Sequence, residues 1–156
     1  MFFFRKKNQE TFKKAQDIFI AQAEKMRDPV FYLDFKIPDS FQGRLEVLFL
    51  LVGAEITKCE KTDPKLAQQI FDETFKYLEI NLREQGVGDM GVPKRIKKMM
   101  KALHGRARAY QTSVIKGDDA ELINALWRNI YQEIEMKADD EALKKLADYV
   151  KRLYVN

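Results

Sequence analysis

Leu82–Tyr110 reads LREQGVGDMGVPKRIKKMMKALHGRARAY. It opens on the end of one apolar-periodic segment, turns through glycines and leads into another, so it reads as helix, compact turn, helix. Gly86-Val87-Gly88-Asp89-Met90-Gly91-Val92-Pro93 sets three glycines within six residues, which calls for backbone angles or approaches that a side chain forbids. Gly86 supplies the left-handed residue that ends the incoming helix. Pro93 falls in the first turn of the outgoing helix, where an N–H has no partner anyway. Asp89 is placed to accept hydrogen bonds from backbone N–H groups of the turn or of that helix start. A phosphate cradle is the weaker reading, because the P-loop spacing is absent and no strand precedes the turn.

Working outward, segment after segment repeats apolar residues at three- and four-residue steps. A first helix from about Gln9 to Met26 carries Phe12, Ala15, Phe19, Ala23 and Met26 on one stripe, and Asp28-Pro29 ends it. Phe31–Ile37 alternates briefly and is read as an extended packing segment. Asp39 or Ser40 caps a second helix with Phe41, Leu45, Leu48, Phe49, Val52 and Ile56 inward; apolar on more than one side, it is the expected centre of the fold. Asp63-Pro64 opens a third in the preferred manner, with Leu66, Ile70, Phe71, Phe75, Leu78 and Leu82 inward. Beyond the turn, about Pro93 to Lys116 buries Ile96, Met99, Met100, Leu103, Ala107, Tyr110 and Val114, and Gly117 stops it. Asp118 or Asp119 caps a fifth helix, with Leu122, Ile123, Leu126, Ile130 and Ile134 inward. Asp139 or Asp140 caps a sixth, with Leu143, Leu146, Val150 and Leu153 inward. The expectation is an all-α fold, a single compact domain of about six helices with short connections over residues 9–156, preceded by a Phe-rich basic segment, 1–8. The motif core is 82–110.

Lys94–Arg108 holds seven Lys or Arg and no acidic residue, while the whole 156-residue chain has Lys+Arg 28 against Asp+Glu 24, a formal +4. Helices that are charged only for solubility mix both signs, because like charges one turn apart repel. Lys94, Lys97, Lys98, Lys101, Arg106 and Arg108 are therefore candidates for a face that meets an anionic partner: RNA, a phospholipid surface or an acidic polypeptide. No RNA-recognition or zinc signature accompanies them and aromatic residues are not interleaved, which argues against sequence-specific nucleic-acid readout. Arg83 and Arg106 are also placed to pair with Glu84 and Asp89, which would make them scaffold.

Other chemistry is thin. Hydrophobic residues at 46% and charged residues at 33% describe a globular protein, and the apolar run Val47–Ala54 is far short of the roughly 20 residues that span a bilayer. Cys59 is the only cysteine and His104 the only histidine, so neither a disulfide, a metal site nor a cofactor is expected. Met99-Met100 is core filling at this helical phase. Asp118-Asp119 and Asp139-Asp140 sit where caps are expected, without diphosphate-binding spacing, and no enzyme is expected. MFFFRKK has the wrong order for an export signal; it either offers aromatic side chains and cations to a membrane surface or packs on the domain or frays. The expected place is the cytoplasm, with peripheral contact at the inner face of the cytoplasmic membrane.

As a string, the opening stretch resembles the ubiquinol–cytochrome c chaperone family. The resembling residues are Leu82-Arg83-Glu84, Gly86-Val87-Gly88-Asp89, Val92-Pro93-Lys94, Lys97-Lys98-Met99, Gly105-Arg106 and Tyr110, with weaker agreement through Arg44–Ala54 and Ile70-Phe71-Asp72. The resemblance implies a binding protein without catalysis or cofactor, which holds nascent cytochrome b near the ribosomal exit tunnel and promotes assembly of respiratory complex III. The absence of a presequence points to a bacterial member. The alternative is a helical protein that binds RNA, ribosomes or anionic membranes in general, with no dedicated client.

Overall fold

Helix occupies the chain almost end to end in the computed structural model, which describes residues 1–155. Seven helices and no strand are found among the described residues: α1 (Phe2–Lys25), α2 (Val30–Leu33), α3 (Phe41–Cys59), α4 (Pro64–Glu84), α5 (Gly91–Lys116), α6 (Asp119–Ile130) and α7 (Glu141–Tyr154). Every residue from Leu45 to Ala54 is buried, so α3 is the central helix its sequence describes. On one side Val47, Leu50, Leu51 and Ala54 meet Phe31 together with Leu122, Leu126, Leu143, Leu146 and Val150 of α6 and α7. On the other, Leu48, Phe49, Val52 and Ile56 meet Phe19 of α1, Ile70 and Phe75 of α4, and Leu103 of α5. Each such side chain contributes about 1.5–3 kcal/mol on leaving water, and truncating one, as in Leu51→Ala, would cost about 2–5 kcal/mol.

The caps follow the side-chain chemistry. Ser40 Oγ accepts from the Gly43 N–H at 3.1 Å, Asp63 Oδ1 from Leu66 N–H at 3.1 Å, Asp118 Oδ1 from Glu121 N–H at 3.1 Å, and Asp140 Oδ1 from Ala142 N–H at 2.8 Å. α5 ends at Gly117, whose φ of 68° is left-handed. Two tyrosines bond to carbonyls far away in sequence: Tyr154 at the end of α7 donates to the Leu50 carbonyl of α3 at 3.0 Å, and Tyr131 after α6 to the Phe35 carbonyl after α2 at 2.7 Å.

Four expectations need correcting. Phe41, expected inward, is the first residue of α3 and is 39% exposed. α1 starts at Phe2, not near Gln9, because Phe2–Asn8 contains neither proline nor glycine to stop a helix; Phe12, expected inward, is 41% exposed. Phe31–Ile37 is not extended. Asp28 Oδ1 accepts from Val30 N–H at 3.0 Å and starts the short α2, after which Lys36 turns at φ 55° and Phe35 and Ile37 go into the core. Ile134 lies beyond the end of α6 and is exposed. Met136 is buried in its stead, held where its carbonyl accepts from Trp127 Nε1–H at 2.7 Å.

Candidate functional site

The turn between α4 and α5 is built from backbone geometry. Gly86 has φ 86°; its N–H donates to the Arg83 carbonyl and the Val87 N–H to the Leu82 carbonyl, at 3.0 and 3.1 Å. That pair of bonds is the Schellman arrangement, which satisfies the last carbonyls of a helix and needs a left-handed residue at the Gly86 position. Gly88 then offers its carbonyl to the N–H groups of Gly91 and Val92, starting α5 before Pro93. Asp89 does not serve the backbone as expected. Its carboxylate pairs with the Arg83 guanidinium, which also reaches Glu79 at 3.2 Å. The ion pair clamps the turn onto the last turns of α4, and Glu84 stands exposed beside it.

Beyond the turn, Val92, Leu103, Ala107 and Tyr110 anchor α5 in the core. At 100° per residue, Lys94, Lys97, Lys98, Lys101 and Arg108 fall within an arc of about 100° opposite those anchors. All five side chains are exposed, and among the described residues none forms an ion pair. Arg106 belongs to a different flank of the helix. It turns inward to α3, where its Nε lies 2.6 and 2.9 Å from the two carboxylate oxygens of Glu46. Glu46 is 2% exposed, and burial pushes its carboxyl up while Arg106 pulls it down. Sequence reading missed this pair. The available signal was a carboxylate set directly between Leu45 and Val47 in an apolar run, a group that stays buried only with a partner.

The structure also holds a groove that no local pattern announces, because its walls come from four separate elements. It encloses about 760 Å³ between the end of α1, α2, the start of α3 and the end of α4. Leu45, Leu48 and Leu78 form its floor, Tyr32, Phe41 and Tyr77 its walls, and Leu33 stands 75% exposed at its edge. Its polar rim is Arg27 together with Arg44, which is paired to Asp39 at 2.7 Å. The groove can take apolar side chains from a partner and place charges around them.

His104 stacks on Phe71 with ring centroids 4.7 Å apart, and Met99 and Met100 pack against the core cluster of α3 and α4. Among the described residues no group of His, Cys, Asp and Glu is arranged to hold a metal ion, and no helix is long and apolar enough to cross a membrane.

Residues 33–154 match the family model described as Ubiquinol-cytochrome C chaperone. Among solved structures, the crystal structure of the Cbp3 homolog from Brucella abortus is similar, with a TM-score of 0.77 and 34% sequence identity over 97% of this chain and 86% of that chain. No curated protein matches the sequence.

Proposed function

We propose that this chain, which belongs to the ubiquinol–cytochrome c chaperone family, holds newly made cytochrome b and promotes its assembly into respiratory complex III, without catalysing a reaction. The observation that carries the reading is the family match across residues 33–154, which includes the turn and both faces of α5. The groove supports it on physical grounds. A membrane-protein client presents stretches of roughly 20 apolar residues to water before it inserts, and Leu45, Leu48, Leu78 and Tyr77 can shield part of such a stretch.

In this reading the basic stripe of α5 keeps the chaperone close to the place of synthesis. Lys94, Lys97, Lys98, Lys101 and Arg108, with no acidic partners, attract the phosphates of ribosomal RNA around the exit tunnel or the headgroups of an anionic membrane. The protein then works in the cytoplasm, peripherally at the inner face of the cytoplasmic membrane. A second reading, a general binder of anionic surfaces with no dedicated client, is favoured by the same unpaired stripe. The two separate on one experiment. Deleting the gene lowers assembled complex III at unchanged cytochrome b transcript if the chain is the chaperone; normal complex III in the deletion strain leaves only the general binder.

A further inference from the structure

The first ten residues are all exposed, and the first buried side chain of α1 is Ala15. Helix α1 lies along α4, with Phe19 and Tyr77 ring centroids 5.4 Å apart, and Ala15 and Phe19 join the core cluster of α3 and α4. The turns before Ala15 therefore carry no buried side chain and form the exposed N-terminal end of the helix. At that end Phe2, Phe3 and Phe4 are 81, 85 and 70% exposed. Arg5, Lys6 and Lys7 follow at once, exposed and, among the described residues, outside every ion pair. Glu10 is the only acidic residue before Asp17. These residues precede the span matched by the family model, which begins at Leu33.

We propose that the first two turns of α1 form an aromatic wedge that enters the interface of an anionic lipid bilayer, with Arg5, Lys6 and Lys7 on the phosphate headgroups. The geometry selects lipid over a protein groove. Three consecutive helical residues project about 100° apart, so they surround the helix instead of lining one stripe. A groove on a partner takes a stripe at three- and four-residue spacing and leaves at least one of these rings in water. A bilayer interface accepts the turn from every side. The cations come next along the axis, about 4.5 Å above the aromatic turn at 1.5 Å per residue, which is where headgroup phosphates would meet them. Neither part is sufficient alone, since stable attachment takes an apolar and an electrostatic contribution together.

This deepens the membrane-peripheral part of the proposed function and rests on it for its purpose, but its test needs no client. Purified full-length protein is floated with vesicles of phosphatidylethanolamine and phosphatidylglycerol, and with phosphatidylcholine alone. The wild type is expected to float with the anionic vesicles only. Phe2→Ser/Phe3→Ser/Phe4→Ser and Arg5→Gln/Lys6→Gln/Lys7→Gln should each weaken that binding on the order of tenfold or more, with circular dichroism and melting temperature unchanged because all six side chains are exposed. Phe3→Trp should show a blue-shifted emission on anionic vesicles and quenching by brominated lipid. Flotation of the Phe triple variant at wild-type level, or an unshifted and unquenched Phe3→Trp on bound vesicles, overturns the wedge. So does a Phe triple variant that floats normally yet loses its client in detergent, since the turn is then a protein contact. Normal complex III in a deletion strain would remove the chaperone reading and leave the vesicle result standing.

Discussion

Arg106 of α5 and Glu46 of α3, sixty positions apart in sequence, face each other as a nearly enclosed ion pair, with side chains 18% and 1% exposed. The pair joins the motif-bearing helix to the central helix, and it gives α5 a fixed rotation. With Arg106 and the core anchors committed inward, the lysines on the arc opposite the anchors are committed outward. Removing one partner of such a pair costs more than the pair itself contributes, because the other charge stays buried without compensation.

Burial makes the Glu46 carboxyl harder to ionise in the folded than in the unfolded chain. The native state therefore keeps this proton to higher pH, and the stability from this site is greatest below the ordinary carboxylate range and declines as pH rises through the raised value. Arg106→Met removes the group that opposes the rise and widens the window. It is expected to destabilise by roughly 3 kcal/mol or more, the low end for a broken buried pair, and by more near about pH 8 than near about pH 5. Glu46→Gln/Arg106→Met should recover much of the loss. Thermal melts of the single and double variants at both pH values check this; an equal loss at the two values would mean that the buried carboxylate is not what suffers.

The glycines of the chain separate by mechanism. A Cβ on Gly43 would overlap the Pro38 carbonyl oxygen, a backbone atom that cannot step aside. Gly43→Ala should thus cost at least the roughly 1–3 kcal/mol typical of overpacking. Gly86→Ala meets no neighbour but inherits φ 86°, worth on the order of 1 kcal/mol. Gly88 has neither constraint, so Gly88→Ala should stay within about 0.5 kcal/mol. Urea unfolding of the three variants gives the order directly, and a Gly88→Ala loss as large as that of Gly43→Ala would refute the assignment.

Much of this architecture was legible because it is written locally. Asp63-Pro64, Gly86, Gly117 and the all-round apolar α3 each act within a turn or two of chain, and each stands where the pattern places it. What was not legible depends on distant pairing. Of the two roles the sequence offers Asp89, the structure takes the pairing with Arg83, since the Schellman bonds and the Gly88 carbonyl already organise the backbone there, whereas Arg106, expected to pair within the motif, finds Glu46 sixty positions away. The groove has no sequence signature, since Met26, Leu33, Leu45 and Tyr77 come together only after four elements pack. The extent of α1 was hidden because an exposed arm shows no inward stripe.

Asp89→Asn keeps a hydrogen-bond acceptor for Arg83 and removes a charge that lies in water, the side chain being 92% exposed. Under the structural role, melting temperature and client capture both stay at wild-type level. A variant that melts normally but no longer captures cytochrome b would make Asp89 a contact residue.

Lys94→Glu/Lys98→Glu/Lys101→Glu reverses the outward arc of α5 without touching the core. Co-sedimentation with ribosomes at low salt should be lost in the triple variant, and wild-type binding should weaken steeply as salt rises. Equal sedimentation of wild type and variant would remove the stripe from the account.

A chaperone that holds newly made cytochrome b can be caught with it during synthesis. Pulse-labelled cells carrying affinity-tagged wild type or Leu33→Glu/Phe41→Glu, which sets charge at the edge and wall of the groove, are lysed in mild detergent and the labelled proteins retained by each are compared. Labelled cytochrome b is expected on the wild type within the first minutes, decaying as complex III forms, and several-fold less on the groove variant at equal chaperone level. Wild-type protein that retains no labelled cytochrome b at any time of the chase would contradict this holding role.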